Sequence, residues 1–229
     1  MDDPPLASLS LTHVHYNPAD RISYLCAWLA LVPQALCVVY VTLIWSTREA
    51  EVILMFAGQM ACEAFNWCLK RYIKEERPRQ MNGKGYGMPS SHAQFVTFFS
   101  VSLTLFLLIR HQPQASATHT PTTFLQRLLL SVLALISAAA VAQSRIYLNY
   151  HTPKQVLVGC TAGGICAVVW FIIVAYLRYS GWVRWGLDTD FARYFRFRDL
   201  VLTEDLTDAG WARWEERRRR RDIDGKKRT

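Results

Sequence analysis

Five apolar runs, each close to the length needed to cross a bilayer, constrain this chain more than any other feature. They cover residues 22–45, 52–69, 93–109, 128–142 and 156–177, against the roughly 20 apolar residues a spanning helix requires. A soluble domain could bury five apolar helices, but a chain of 229 residues rarely supplies so many of spanning length. The expected fold is all-α: a polytopic transmembrane helix bundle of about five spans with a basic cytosolic tail. Residues 1–21 read as a lumenal N-terminal segment, 22–178 as the membrane domain and 179–229 as an interfacial aromatic and basic segment with the tail. Gly159, Gly163 and Gly164 in the fifth run offer close helix–helix approach.

Composition excludes two classes. Hydrophobic residues make up 52% and charged residues 19%, the reverse of a disordered chain. The net charge is +8, but residues 211–229 hold nine Lys/Arg against four Asp/Glu, so the body is not a uniformly basic nucleic-acid binder. The six cysteines all fall inside apolar runs with no C-x-x-C pair, and read as buried thiols rather than a zinc site or disulfide framework.

Charge also sets orientation. The first 21 residues carry Asp2, Asp3 and Asp20 without a basic start, so the first span reads as a retained anchor. The run Arg217–Arg221 favours the cytosol for the tail. That places the N-terminus, the 70–92 loop and the 143–155 loop together on the exoplasmic side. Lys226-Lys227-Arg228-Thr229 resembles a dilysine signal for return to the endoplasmic reticulum, which is read in the cytosol. Before the tail, Trp182, Trp185, Phe191, Tyr194, Phe195 and Phe197 alternate with Arg184, Arg193, Arg196 and Arg198, a pattern that suits the headgroup region.

Three polar clusters gather at span ends on that exoplasmic side. The first is Lys70, Arg71, Lys74, Arg77, Pro78 and Arg79. The second is Gly87-Met88-Pro89-Ser90-Ser91-His92. The third is Ser144-Arg145 with His151. Fixed cations, hydroxyl donors and two histidines suit a dense anion with a leaving group, and phosphate fits best. Lys and Arg neutralise non-bridging oxygens. Ser90 and Ser91 open a helix whose N–H groups can receive an oxyanion. One histidine can attack phosphorus while the other protonates the departing oxygen. No metal and no cofactor is expected.

Taken together, Lys70-x6-Arg77-Pro78, Pro89-Ser90-Ser91-His92 and Ser144-Arg145-x5-His151 resemble the three-part signature of the type-2 phosphatidic acid phosphatase and haloperoxidase superfamily. The segments Gly85-Tyr86-Gly87-Met88 and Tyr147-Leu148-Asn149-Tyr150-His151-Thr152-Pro153-Lys154-Gln155-Val156, with Ser10–Val14, resemble its dolichyl diphosphatase branch, fungal members in particular. The resemblance covers most of residues 8–178. It implies that His151 is the nucleophile and His92 the general acid. Lys70, Arg77 and Arg145 would clamp phosphate, with Ser90, Ser91 and Gly87 adding hydrogen bonds. The implied substrate is dolichyl diphosphate, cleaved at the lumenal face of the endoplasmic reticulum. Another lipid phosphate, such as a sphingoid-base phosphate or phosphatidate, and a non-catalytic lipid-binding role are the alternatives.

One position departs from the pattern. The superfamily places an Asp four residues after the nucleophile, where this chain has Gln155. A neutral amide can orient the imidazole but supports its positive charge less well. Thr152-Pro153-Lys154-Gln155 also reads as a capping box with Pro at the first helical position. Glu63, Asn66 and Lys70 share one helical face, so Glu63 is a candidate replacement carboxylate, pairing with Lys70 or reaching the site through Asn66.

Overall fold

The computed structural model describes residues 7–9, 14–77, 85–114, 120–205 and 210–226. Pro78 and Arg79 of the first cluster, Ser10–His13, His119 and most of the dilysine stretch lie outside these residues.

The chain enters through a short antiparallel hairpin, β1 (Ala7–Leu9) and β2 (Val14–Tyr16); an isolated parallel bridge between Glu49 and Arg198 is the other β pairing among the described residues. The first span is α1 (Arg21–Leu29) followed by α2 (Val32–Thr47), with a break at Ala30–Leu31. Pro33 sits in the first turn of α2, where its missing N–H costs nothing to a helix that starts there. α3 (Ala50–Ile73) ends at Lys74, whose left-handed backbone (φ 54°) stops the helix. α4 (Ser91–Leu105) continues as one π-helical turn, Phe106–Arg110. α5 (Phe124–Tyr147) and α6 (Pro153–Tyr179) each start with a capping box, Thr123/Gln126 and Thr152/Gln155. α7 (Trp182–Asp188), α8 (Asp190–Phe195) and α9 (Trp211–Lys226) follow.

Five segments are long and apolar enough to cross a membrane: Arg21–Thr47, Ala50–Ile73, Ser91–Arg110, Phe124–Tyr147 and Pro153–Tyr179. The third is the central one: 44% of its apolar window is buried, against 17–22% in the others. It packs against α6 at closest range. A Cβ on Gly159 would lie 2.7 Å from the Ser90 carbonyl oxygen, and one on Gly163 would lie 2.4 Å from that of Gln94. Only glycine allows this approach. Exposed Val38, Val41, Leu129, Leu133, Ile136, Ile165 and Ile172 form the outward apolar belt that a bilayer covers.

The two ends of the bundle differ in chemistry. At the far end, buried Glu51 pairs with Arg110 and with Arg178 (2.7 Å), and Arg178 also holds Asp199 (2.5 Å). Glu49 accepts from the Leu200 and Val201 N–H groups (2.8 and 3.1 Å). The chain after α8 is thus strapped across the ends of α3, α4 and α6. At the opposite end stand the first residues of α4 and α6 and the last of α3 and α5, which are the three polar clusters.

Candidate active site

The local fold explains why residues far apart in sequence meet. Because Lys74 turns out of the helix, residues 75–77 run back toward the start of α6, held there by Gly87 N–H donating to the Glu75 carbonyl (2.7 Å) and by Lys154 Nζ on Glu75 Oε2 (2.9 Å). Lys70, in the last turn of α3, reaches Ser91 Oγ at 3.4 Å. Ser90 N–H donates to the Gln155 carbonyl (3.1 Å), joining the start of α4 to the first turn of α6. Gly87 lies against both the Gln155 amide and Arg77: a Cβ there would be 2.8 Å from Gln155 Nε2 and 3.0 Å from Arg77 Cγ.

Arg145 closes the other side. It occupies the last turn of α5, is 3% exposed, and stacks its guanidinium over Tyr150 at 4.4 Å. Its carbonyl accepts from the Tyr150 and His151 N–H groups (3.0 and 3.2 Å) across a turn made by left-handed Asn149. That turn delivers a buried His151 beside the cations.

Hydrogen bonding fixes the working form of each imidazole. Gln155 Nε2 donates to Glu75 Oε1 (3.2 Å) and the Glu76 carbonyl (2.8 Å), both pure acceptors. Its Oε1 therefore faces the Thr152 N–H (3.3 Å) and His151 Nδ1 (3.2 Å). An amide oxygen only accepts, so Nδ1 carries the proton and Nε2 keeps its lone pair. Burial, then the Arg77 and Arg145 cations, pull His151 down to about 4, with the Gln155 contact opposing them, so the ring is neutral at pH 7. His92 Nε2 lies 3.1 Å from the Ala30 carbonyl oxygen, so Nε2 carries its proton and Nδ1 is the unprotonated nitrogen.

Four buried donor atoms here have no partner among the described residues: Ser90 Oγ, Arg77 Nε, and Arg145 Nε and Nη1. Buried polar groups are otherwise almost always bonded. Buried donors without acceptors, beside Lys70 and a neutral imidazole, are suited to receive an anion. The nearby Glu75 carboxylate does not compete, because Lys154 and Gln155 hold it and keep it ionised below the usual carboxylate range.

Not every residue singled out in the sequence joins the site. Arg71 stacks on Trp67 at 3.4 Å, and Ser144 Oγ donates back to Val141 (2.7 Å). Glu63 makes no ion pair with Lys70, and Asn66 donates instead to Gln94 Oε1 (2.7 Å), so the route through Asn66 does not form. Glu63 lines a cavity of about 260 Å³ shared with Ser91, His92, Gln34 and Phe95. Three groups that adjoin the site had no role assigned from the sequence: the Ala30 carbonyl, Tyr150 and Glu75. Pro33 in the first apolar run was a usable signal for the helix break that frees Ala30; Glu75 and Tyr150 had none beyond proximity to the motifs.

The chain is similar to known proteins over most of its length. Residues 8–179 match the PAP2 superfamily. A Neurospora crassa protein assigned by name to the dolichyldiphosphatases is 54% identical, over 98% of this chain and 98% of its own. Dolichyldiphosphatase 1 of Homo sapiens is 38% identical over 86% of this chain and 84% of its own. The crystal structure of a transmembrane PAP2 type phosphatidylglycerolphosphate phosphatase from Bacillus subtilis shares the fold, with a TM-score of 0.52 and 20% identity over 68% of this chain and 74% of that one. Helix order, the three assembled clusters and these matches lead to one assignment: the chain belongs to the PAP2 superfamily.

Proposed function

We propose that this protein hydrolyses dolichyl diphosphate to dolichyl phosphate and inorganic phosphate at the lumenal face of the endoplasmic reticulum membrane, returning the lipid carrier used in protein N-glycosylation. The substrate class comes from relatives named for this activity. The observation that carries the chemistry is the set of unpartnered buried donors on Ser90, Arg77 and Arg145 around a neutral His151 with a free Nε2 lone pair.

In the first step, His151 Nε2 attacks the terminal phosphorus. The bond from that phosphorus to the bridging oxygen breaks. His92, which takes up a second proton at Nδ1 as the anionic diphosphate binds, gives that proton to the departing dolichyl phosphate while its Nε2–H stays on the Ala30 carbonyl. Lys70, Arg77 and Arg145 hold the non-bridging oxygens, with the Ser90 and Ser91 hydroxyls as further donors; Gly87, expected from the sequence to add a hydrogen bond, has its N–H committed to the Glu75 carbonyl. In the second step, water attacks the phosphohistidine, His92 takes its proton, and the N–P bond breaks to release phosphate. The lipid tail stays in the bilayer because the site sits at a membrane face.

Dolichyl diphosphate, dolichyl monophosphate, phosphatidate and sphingosine phosphate, offered side by side to the purified protein in detergent, test the reading. The diphosphate should be turned over with the highest kcat/KM. Preference for phosphatidate or sphingosine phosphate would reassign the substrate, and no turnover of any would favour a non-catalytic role.

A further inference from the structure

We propose that Glu75 is a positioning residue for the nucleophile, acting through Gln155 to hold the His151 ring in its Nδ1–H form and to support the positive charge it gains on attack. This rests on the phosphohistidine reading above and answers the question raised by Gln155 standing where the superfamily has an Asp.

The chain of contacts is continuous. Glu75 Oε1 accepts from Gln155 Nε2 at 3.2 Å, and Gln155 Oε1 accepts from His151 Nδ1 at 3.2 Å. The amide cannot turn over. A flip would press its oxygen against two acceptors, the Glu75 carboxylate and the Glu76 carbonyl, and its NH2 against the Thr152 N–H. The missing side chain at Gly87 leaves the amide its space, since a Cβ would lie 2.8 Å from both amide heteroatoms. Gln155 is fully buried, so its links act in a low-dielectric setting where a carboxylate polarises the amide and, through it, the ring.

The electrostatic surroundings make this carboxylate consequential. From α3, α5 and the 75–77 segment, Lys70, Arg145 and Arg77 all oppose a positive imidazole. From α4, His92 faces the same region, and Tyr150 adjoins Arg145. Among the described residues, Glu75 is the carboxylate hydrogen-bonded toward the ring. Its other oxygen is held by Lys154, an exposed side chain, which fixes the carboxylate in place. The sequence hides the arrangement because Glu75 and Gln155 are 80 positions apart and meet only through the left-handed turn at Lys74.

Purified full-length variants separate this role from a structural one. Glu75→Gln should lower kcat roughly tenfold, well short of the ~10⁴-fold loss when a carboxylate bonded directly to a catalytic imidazole is neutralised, with KM nearly unchanged. It should also move the acid limb of the kcat/KM profile to lower pH, because removing a negative charge disfavours the imidazolium. Gln155→Glu alone sets two carboxylates against each other and should fall below Glu75→Gln. The double variant Glu75→Gln/Gln155→Glu runs the relay with its polarity reversed and should recover activity over Gln155→Glu, with the acid limb shifted upward. Thermal unfolding of each variant controls for folding. Wild-type kcat and profile in Glu75→Gln, or a double variant no better than Gln155→Glu, would overturn the inference. His151→Ala in parallel keeps the two levels apart: if it retains turnover the phosphohistidine reading fails, whereas if it is inactive and Glu75→Gln is normal only the relay fails.

Discussion

Replacing Gly163 by Ala tests whether the catalytic halves are held in register by the contact between α4 and α6. The added Cβ would sit 2.4 Å from the Gln94 carbonyl oxygen, where ordinary contact begins near 3.4 Å, so one helix must retreat by about 1 Å. Gln94 cannot yield alone. It is fully buried, its Nε2 donates to the Cys62 carbonyl (3.0 Å) and its Oε1 accepts from Asn66 (2.7 Å). Gly164→Ala is the matched control, since its Cβ would have no neighbour nearer than Thr97 Cγ2 at 4.0 Å. Both changes gain the same helix propensity, about 1 kcal/mol, so their difference isolates the steric cost of about 1–3 kcal/mol. At roughly 2–4 °C per kcal/mol for a chain of this size, Gly163→Ala should melt about 2–12 °C below Gly164→Ala. Gln94 lies one turn from Ser90–His92, so the retreat also displaces that end of the site from His151. A 1 Å misplacement can cost ~10²-fold in rate. Tm and turnover measured on both purified variants decide the matter. Equal values for the two would refute the claim that close packing at Gly163 sets the geometry.

Four further outcomes are expected. Arg145→Ala removes two unpartnered buried nitrogens and should lower kcat by ~10²–10³, measured at saturating substrate. The acid limb of kcat/KM, corrected for the substrate's own ionisation, should bend near pH 4, where His151 protonates, rather than near the ordinary value of about 6.5; activity is present above that pH and lost below it. Turnover should survive EDTA, because Lys70, Arg77 and Arg145 supply the cationic charge, and an absolute requirement for a divalent metal would contradict this. Protease added outside sealed microsomes should remove the tail carrying Arg217–Arg221, and a protected tail would reverse the topology.

The spans and the three clusters were legible because each polar group interrupts an apolar run or marks its end. The fourth span was drawn short for the same reason. Gln143, Ser144 and Arg145 end the apolar run at Ala142, yet the helix continues to Tyr147, because Ser144 and Arg145 are buried and turn inward. The hairpin Ala7–Leu9/Val14–Tyr16 has strands too short to show a period, and it forms against the bundle, with His15 N–H on Tyr150 Oη (2.9 Å) and Val14 packed near Ala27 and Leu148. Glu63 drew attention because a carboxylate in an apolar run is conspicuous. Glu75 drew less because it lies in a loop rich in charge. What sequence spacing could not convey is the reversal at Lys74, which carries Glu75 away from Glu63's helix and onto Gln155.

Rapid acid-free quenching of the enzyme during turnover of substrate labelled in its terminal phosphate tests the central claim most directly. Label should appear on His151, attached at Nε2, since Nδ1 is committed to Gln155. It should chase into inorganic phosphate and be absent from His151→Ala. Label on His92, or complete turnover with no phosphohistidine at any time point and direct transfer to water with stereochemical inversion at phosphorus, would contradict the account.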